Sequence, residues 1–216
     1  MVTSKTKKPR WERRKEARPG ELLSAALDLF VERGFAATRL EDVAQMAGVS
    51  KGTLYLYFSG KEDLFKAVVR ESLLPVLGEA EELVSNFPGD SIELFRLIVH
   101  GWWERIGNTR LSGISKLVMS ESGNFPELAS FYHQEFIARG MAMMASVLER
   151  GAARGEFRSV NTHQLTQVIL APLMMLMMWK HSFGINKIDP ISPENYLNSM
   201  IDLCLHGLLN ASSPKT

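Results

Sequence analysis

A single cysteine, Cys204, stands in 216 residues. An intramolecular disulfide is therefore excluded, and the chain suits a reducing cytoplasm. Long hydrophobic runs are missing as well. The densest apolar run, residues 168–179, spans twelve residues, against the ~20 that a membrane-crossing helix needs. It is expected to be a buried helix, and no membrane partner is expected. The N-terminal stretch is charged and lacks the apolar core of a signal peptide, so a cytoplasmic location is expected. No segment alternates with the period of a β-strand, and no internal repeat occurs. There is no nucleophile elbow, P-loop, dinucleotide glycine pattern or metal-ligand spacing, so neither an enzyme nor a cofactor is expected. His100, His133, His163 and His181 are scattered singly, and read as packing or surface residues rather than metal ligands. Cys204, on an apolar helix face, reads as a small packing residue rather than a redox sensor.

What is present begins with charge. The net charge of +1 hides an asymmetry. Residues 1–61 hold twelve Lys/Arg against seven Asp/Glu, a net +5, and the remainder is −4. Cations gathered at one end suit a polyanion-binding head. Residues 1–18 form a basic arm with Trp11 as its only aromatic. The arm is expected to be disordered in isolation, or partly helical; it is open between a minor-groove contact and an inert tail. With 45% hydrophobic and 23% charged residues, the rest has the composition of an ordinary globular protein.

The most informative stretch is residues 38–65, TRLEDVAQMAGVSKGTLYLYFSGKEDLF. Leu40 to Ala47 has a short helical pattern with Val43 and Ala44 inward. Val49 to Phe58 has a second, with Leu54, Tyr57 and Phe58 on one side. Gly48 interrupts them, where a sharp turn calls for positive φ, and Ser50 is placed to cap the second helix. Two helices joined by a short glycine-containing turn make a helix-turn-helix, whose second helix lies in the major groove of DNA. Lys51, Gly52 and Thr53 then form the first turn of the recognition helix. Lys51 can reach a phosphate or guanine, Gly52 permits close backbone approach, and Thr53 offers a hydroxyl or a methyl. Tyr55 and Tyr57 add hydroxyls along the same helix, although Tyr57 equally suits packing. Thr38 is placed to cap the first helix of the pair and to hold a phosphate there, or to cap alone. Arg39 is a further candidate.

Elsewhere the periodicity is helical throughout. Pro19 suits the first position of a helix running to Arg33, with Gly34 ending it. A fourth helix begins at Lys61 or Glu62. Further helices are expected over 92–106, 111–120, 126–154, 162–183 and 194–210, with Asp90 or Ser91, and Asn161 or Thr162, as caps.

The run AGVSKGTLYLYFSGKEDLF, preceded by GELLSAALDLFVERGFAAT, resembles the DNA-binding domain of the tetracycline-repressor (TetR) family of bacterial regulators. The likeness covers roughly Pro19–Val69; it includes Ala26, Leu29, Phe30, Gly34 and Phe35 of the first helix, V-A-x-x-A-G-V-S, G-T-L-Y and Y-F-x-x-K-E-x-L-F. It implies an all-α fold of about nine helices. The expected division is an arm (1–18), a three-helix DNA-binding domain (19–65) and a larger effector-binding and dimerisation domain (66–211). It also implies DNA contacts at Tyr57 and Lys61, beside Thr38, Arg39, Ser50, Lys51, Gly52, Thr53 and Tyr55. The partners it implies are a palindromic double-stranded operator, a second copy of the chain and a small apolar effector. The function it implies is a repressor released by that effector; the alternative is a DNA-binding protein of the same fold with no effector, an activator or architectural protein. Relatives pair their last two helices in a four-helix interface. Val168, Pro172, Met175 and Trp179, with Leu197, Ile201, Cys204 and Leu208, are the candidates here. Trp102, Trp103, Leu117, Tyr132, Phe136, Met174 and Met177 are candidates for an effector pocket, while each also has the spacing of an ordinary core residue.

Overall fold

In a computed structural model of the chain, the backbone is described for residues 10–184 and 191–209, with side chains from Pro19 onward. The helices are α1 (Arg10–Arg33), α2 (Leu40–Met46), α3 (Lys51–Tyr55), α4 (Lys61–Ser72), α5 (Leu74–Asn86), α6 (Ser91–Trp102), α7 (Ser112–Glu121), α8 (Pro126–Tyr132), α9 (Ala138–Ala153), α10 (Thr162–Ser182) and α11 (Pro193–Leu208). Two π-helical turns interrupt this order, π1 (Trp103–Gly107) after α6 and π2 (His133–Ile137) between α8 and α9. Counted as continuous rods, α4 with α5 and α8 through α9, the described residues form nine helices. The only β-type pairing among them is an isolated bridge, Phe157 to Leu209. The chain divides at Val69/Arg70, inside α4, into two compact units.

In the first unit, three rings make the centre of the core. Phe30 lies 5.5 Å from Phe35, and each lies 5.7 Å from Phe65. Leu22, Ala26, Val43, Leu54 and Leu64 are buried with them. α1 starts at Arg10, well before Pro19, which sits inside the helix. The expected start at Pro19 was therefore too late. Lys5, Lys7 and Lys8 of the arm lie outside the described residues.

The second unit is built around α6, α9, α10 and α11, with Phe95, Val99, Val147, Leu148, Leu173, Leu176 and Ile201 among its buried side chains. Its helix starts follow capping chemistry. Asp90 accepts from the Glu93 N–H at 2.7 Å, Asn161 from Gln164 at 3.1 Å and Ser192 from Asn195 at 3.4 Å. Each satisfies one of the N–H groups that a helix start leaves without a partner. Pro75 falls in the first turn of α5, where a missing N–H costs nothing, so α4 passes into α5 through the single turn residue Leu73. Gly151 lies against the Phe157 ring. A Cβ there would stand 2.0 Å from Cδ2, so the ring is seated directly on the α9 backbone.

Candidate nucleic-acid interface and effector cavity

The turn between α2 and α3 is closed by three backbone bonds, Ala47 N–H to Val43 O, Gly48 N–H to Gln45 O and Val49 N–H to Ala44 O, at 2.9, 3.1 and 2.9 Å. Gly48 sits at φ +67°, the left-handed region that a side chain would strain. Ser50 caps α3, its Oγ accepting from the Thr53 N–H at 3.1 Å and lying 2.8 Å from Thr53 Oγ1. Leu54 and Phe58 anchor the helix inward, as their four-residue spacing requires. Lys51, Gly52 and Tyr55 are exposed, and Thr53 and Tyr57 half-buried.

Two predicted contacts have other employment. Thr38 does not cap α2. The residue at the cap is Arg39, which is exposed and makes no side-chain cap bond. Thr38 is only 1% exposed. Its hydroxyl lies 2.7 Å from Gly34 O and 3.1 Å from Leu29 O, tying off the end of α1. Its side chain therefore has no surface to offer a phosphate. The Lys61 ammonium donates to Phe35 O at 2.7 Å and Ala36 O at 3.0 Å, and stands 4.7 Å from the Phe35 ring centroid. It clamps the start of α4 to the loop after α1.

Lys51 forms an ion pair with Glu41 across the turn, with its ammonium 5.8 Å from the Tyr55 ring centroid. The hydrogen bond to Lys51 holds the Glu41 carboxyl below the usual carboxylate range, and the same bond raises the Lys51 ammonium. The surface also displays residues the sequence reading passed over. Leu56, at the end of α3, is 82% exposed, and Met46 is 50% exposed. A helical wheel would have found Leu56. It lies two residues from inward-facing Leu54, about 200° around the axis.

The second unit is hollow. A cavity of about 410 Å³ lies among α5, α6, π1, π2, α9 and α10. This is within the ~300–1,000 Å³ of small-molecule sites. Its wall is apolar except for Glu79, Arg105 and Gln167. Both π turns contribute, Arg105 and Ile106 from π1, and Phe136 and Ile137 from π2. Such turns insert an extra residue into a helix and recur at functional sites. Gly101 and Gly140 also face the cavity, and a Cβ built on either would meet nothing within 4 Å. Of the expected pocket residues, Trp102, Phe136 and Met174 line it; Trp103, Leu117, Tyr132 and Met177 do not. Those four are buried side chains packed elsewhere in the unit. Tyr132, held far above its usual pKa by burial, pairs its hydroxyl with Ser115 Oγ at 2.7 Å.

The expected interface residues divide by helix. On α10, Val168 is 63% exposed, Met175 is exposed, and Pro172 and Trp179 are half-buried. With Phe183, whose ring lies 4.8 Å from that of Trp179, they form an apolar stripe at three- and four-residue spacing. On α11, Leu197, Ile201 and Leu208 are buried in the protomer's own core and leave no surface for a partner. The inward stripe of α11 includes all three, and the apolar residue on its outer face is Leu203, 76% exposed. Cys204 is half-buried, with Sγ 3.6 Å from Met200 Sδ, and burial holds its thiol above the usual range.

A helix-turn-helix with an open recognition face, in an all-helical chain with a hollow second unit, defines a DNA-binding regulator rather than an enzyme. Family models agree. Residues 22–68 match the bacterial regulatory proteins of the tetR family, and residues 94–183 match the tetracyclin repressor-like C-terminal domain. The chain belongs to the TetR family of transcriptional regulators. It is 27% identical over 195 residues to the HTH-type transcriptional repressor KstR2 of Rhodococcus jostii, covering 87% of this chain and 91% of that one. The HTH-type transcriptional regulator RutR of Escherichia coli is 53% identical over 57 residues, 26% of this chain and 27% of that one. Among solved structures, the regulator FadR of Bacillus subtilis, in complex with stearoyl-CoA, superposes with a TM-score of 0.74 at 21% identity, over 87% of this chain and 98% of that one.

Proposed function

We propose that the protein is a homodimeric repressor that binds a palindromic DNA operator and is released from it when a small, largely apolar molecule occupies the cavity. The observation that carries this reading is the cavity itself. Protein interiors are packed to crystal density, and a void of about 410 Å³ walled by methionine, leucine and aromatic side chains is a ligand site rather than a packing fault. It also favours an effector-responsive protein over an architectural one, which would have no use for a hollow unit. The relative named as a repressor, and the solved neighbour that holds an acyl thioester, support the same assignment.

Lys51, Thr53, Tyr55, Tyr57 and Leu56 read the major groove, with Ser50, Gly52 and Arg39 at its margin. One short recognition helix covers few base pairs, so two copies are needed, at half-sites a helical turn apart. The apolar stripe on α10, with Leu203, supplies the dimer contact. The signal passes through α4, which belongs to both units. At its second-unit end Arg70 stands 3.6 Å from Glu135 and lies over the Phe131 ring at 5.1 Å. Glu135 belongs to π2, the turn that lends Phe136 and Ile137 to the cavity wall. A molecule that moves π2 therefore pulls on α4.

The test is anisotropy of a labelled duplex carrying the selected operator, with and without a panel of apolar small molecules. The expected result is salt-sensitive specific binding, lost on adding one class of compound. Specific binding that no compound relieves would move the protein to the effector-free alternative.

A further inference from the structure

The charge in the cavity wall is confined to one pair. Glu79 on α5 and Arg105 on π1 are its only charged residues, and they face each other as an ion pair. Both stay partly in water, so they mark the edge where the cavity meets solvent, and they do so unequally. The Arg105 side chain is 44% exposed and that of Glu79 61%. Arg105 gives Glu79 a single Nη2 bond; its Nε and Nη1 donors meet no acceptor among the described residues. A guanidinium offers five N–H groups in a planar fork, matched to a carboxylate that takes two at once.

We infer that the cavity takes a single-headed amphiphile, a long apolar body ending in a carboxylate that is read by Arg105. This rests on the effector reading of the cavity given above. The walls fix the body. Apart from Gln167 and the Glu79–Arg105 pair at the edge, the lining residues are apolar or aromatic, so a hydroxyl or amide along the chain would lose water and find few partners. Gly101 and Gly140 line the cavity without a side chain, and a Cβ built on either meets only open space. The head follows from the asymmetry of the pair. An incoming carboxylate takes over the guanidinium, the more sheltered partner, and releases Glu79 to the water it already faces. A cationic head on Glu79 would do the reverse and leave Arg105 uncompensated against an apolar wall. Glu79 thus occupies the place of the ligand's head when the cavity is empty, and its release frees α5 from π1.

The test uses the full chain and its tryptophan fluorescence, to which Trp102, in the cavity wall, contributes. It is titrated with dodecanoate, 1-dodecanol, dodecyltrimethylammonium and dodecanoyl-CoA, each below its micelle concentration. Dodecanoate is expected to bind about ten-fold more tightly than dodecanol. Arg105→Gln should bring dodecanoate down to the dodecanol level and leave dodecanol unchanged, which also shows that the variant is folded. Glu79→Gln should tighten dodecanoate. If Arg105→Gln does not fold, Arg105→Lys keeps the charge without the fork and should weaken dodecanoate selectively. Equal affinity for acid and alcohol, an Arg105 variant without selective effect, or tighter binding of the ammonium or thioester probe would overturn the head-group assignment and leave the effector cavity standing. If none of the four probes binds, the effector reading falls, and this inference with it.

Discussion

Lys51 is the recognition-helix cation, and in the free protein it is held by Glu41. A phosphate reaching Lys51, as proposed, would compete with a carboxylate for it. Lys51→Ala is expected to weaken operator binding and to lower the slope of log K against log salt by about 1. Glu41→Gln should strengthen binding, most at low salt, where screening is least. Titrations of both variants across salt concentrations check the pair; an unchanged slope in Lys51→Ala would show that this ammonium meets no phosphate. His181 gives a second prediction at this scale. Its Nε2 lies 2.7 Å from Ser112 Oγ, and Lys116 donates to its backbone oxygen at 3.4 Å. Burial first, then Lys180 and Lys116, hold the imidazole below its ordinary range. Its folded pKa lies below the unfolded value of about 6.5, so the unfolded chain takes up more protons in that window. The contribution is nil above it, and stability falls as pH drops through it. Urea midpoints at about pH 7.5 and pH 5 should drop further for the wild type than for His181→Gln.

Helices were legible in the sequence because apolar spacing and capping residues are local signals. Asp90, Asn161, Ser192 and Ser50 all cap where a small polar residue precedes an apolar run. Thr38 carries the same local signal, yet its hydroxyl reaches back to the end of α1. Only the tertiary turn at Gly34 brings those carbonyls near. The π turns were illegible for a similar reason. A five-residue π turn adds one residue to the helix and leaves the apolar period nearly intact, and the cavity it opens depends on four helices at once. The α11 residues show the limit of pattern alone. Leu197, Ile201 and Leu208 align at helical spacing whether the stripe faces the core or a partner, and the structure turns them to the core. The glycines of the wall supply a prediction at this scale. Gly101→Ala and Gly140→Ala meet no neighbour and should each stabilise the fold by about 0.5–1 kcal/mol through helix propensity. Gly140→Leu should fill the void and abolish effector release while leaving operator affinity intact. Thermal denaturation and duplex anisotropy separate the two effects.

At the scale of the whole molecule, the charge asymmetry, the helix-turn-helix and the hollow unit point to one device. The sequence located the reading head because its motif is dense and local. The cavity wall was harder, since it is assembled from residues far apart in the chain, 76 to 174. If the exposed stripe on α10 is the contact of the proposed dimer, Val168→Glu with Met175→Glu dissociates it, seen by sedimentation as a halving of mass, with helical content unchanged by circular dichroism. A variant that keeps its mass would move the interface elsewhere. The most direct test of the central claim is selection of duplexes from a randomised pool with the purified protein, followed by measurement of binding stoichiometry on the enriched sequence. A palindrome bound by two protomers, at half-sites one helical turn apart, and released by a long-chain carboxylate, is the predicted result. Enrichment of no sequence over random duplex would contradict it.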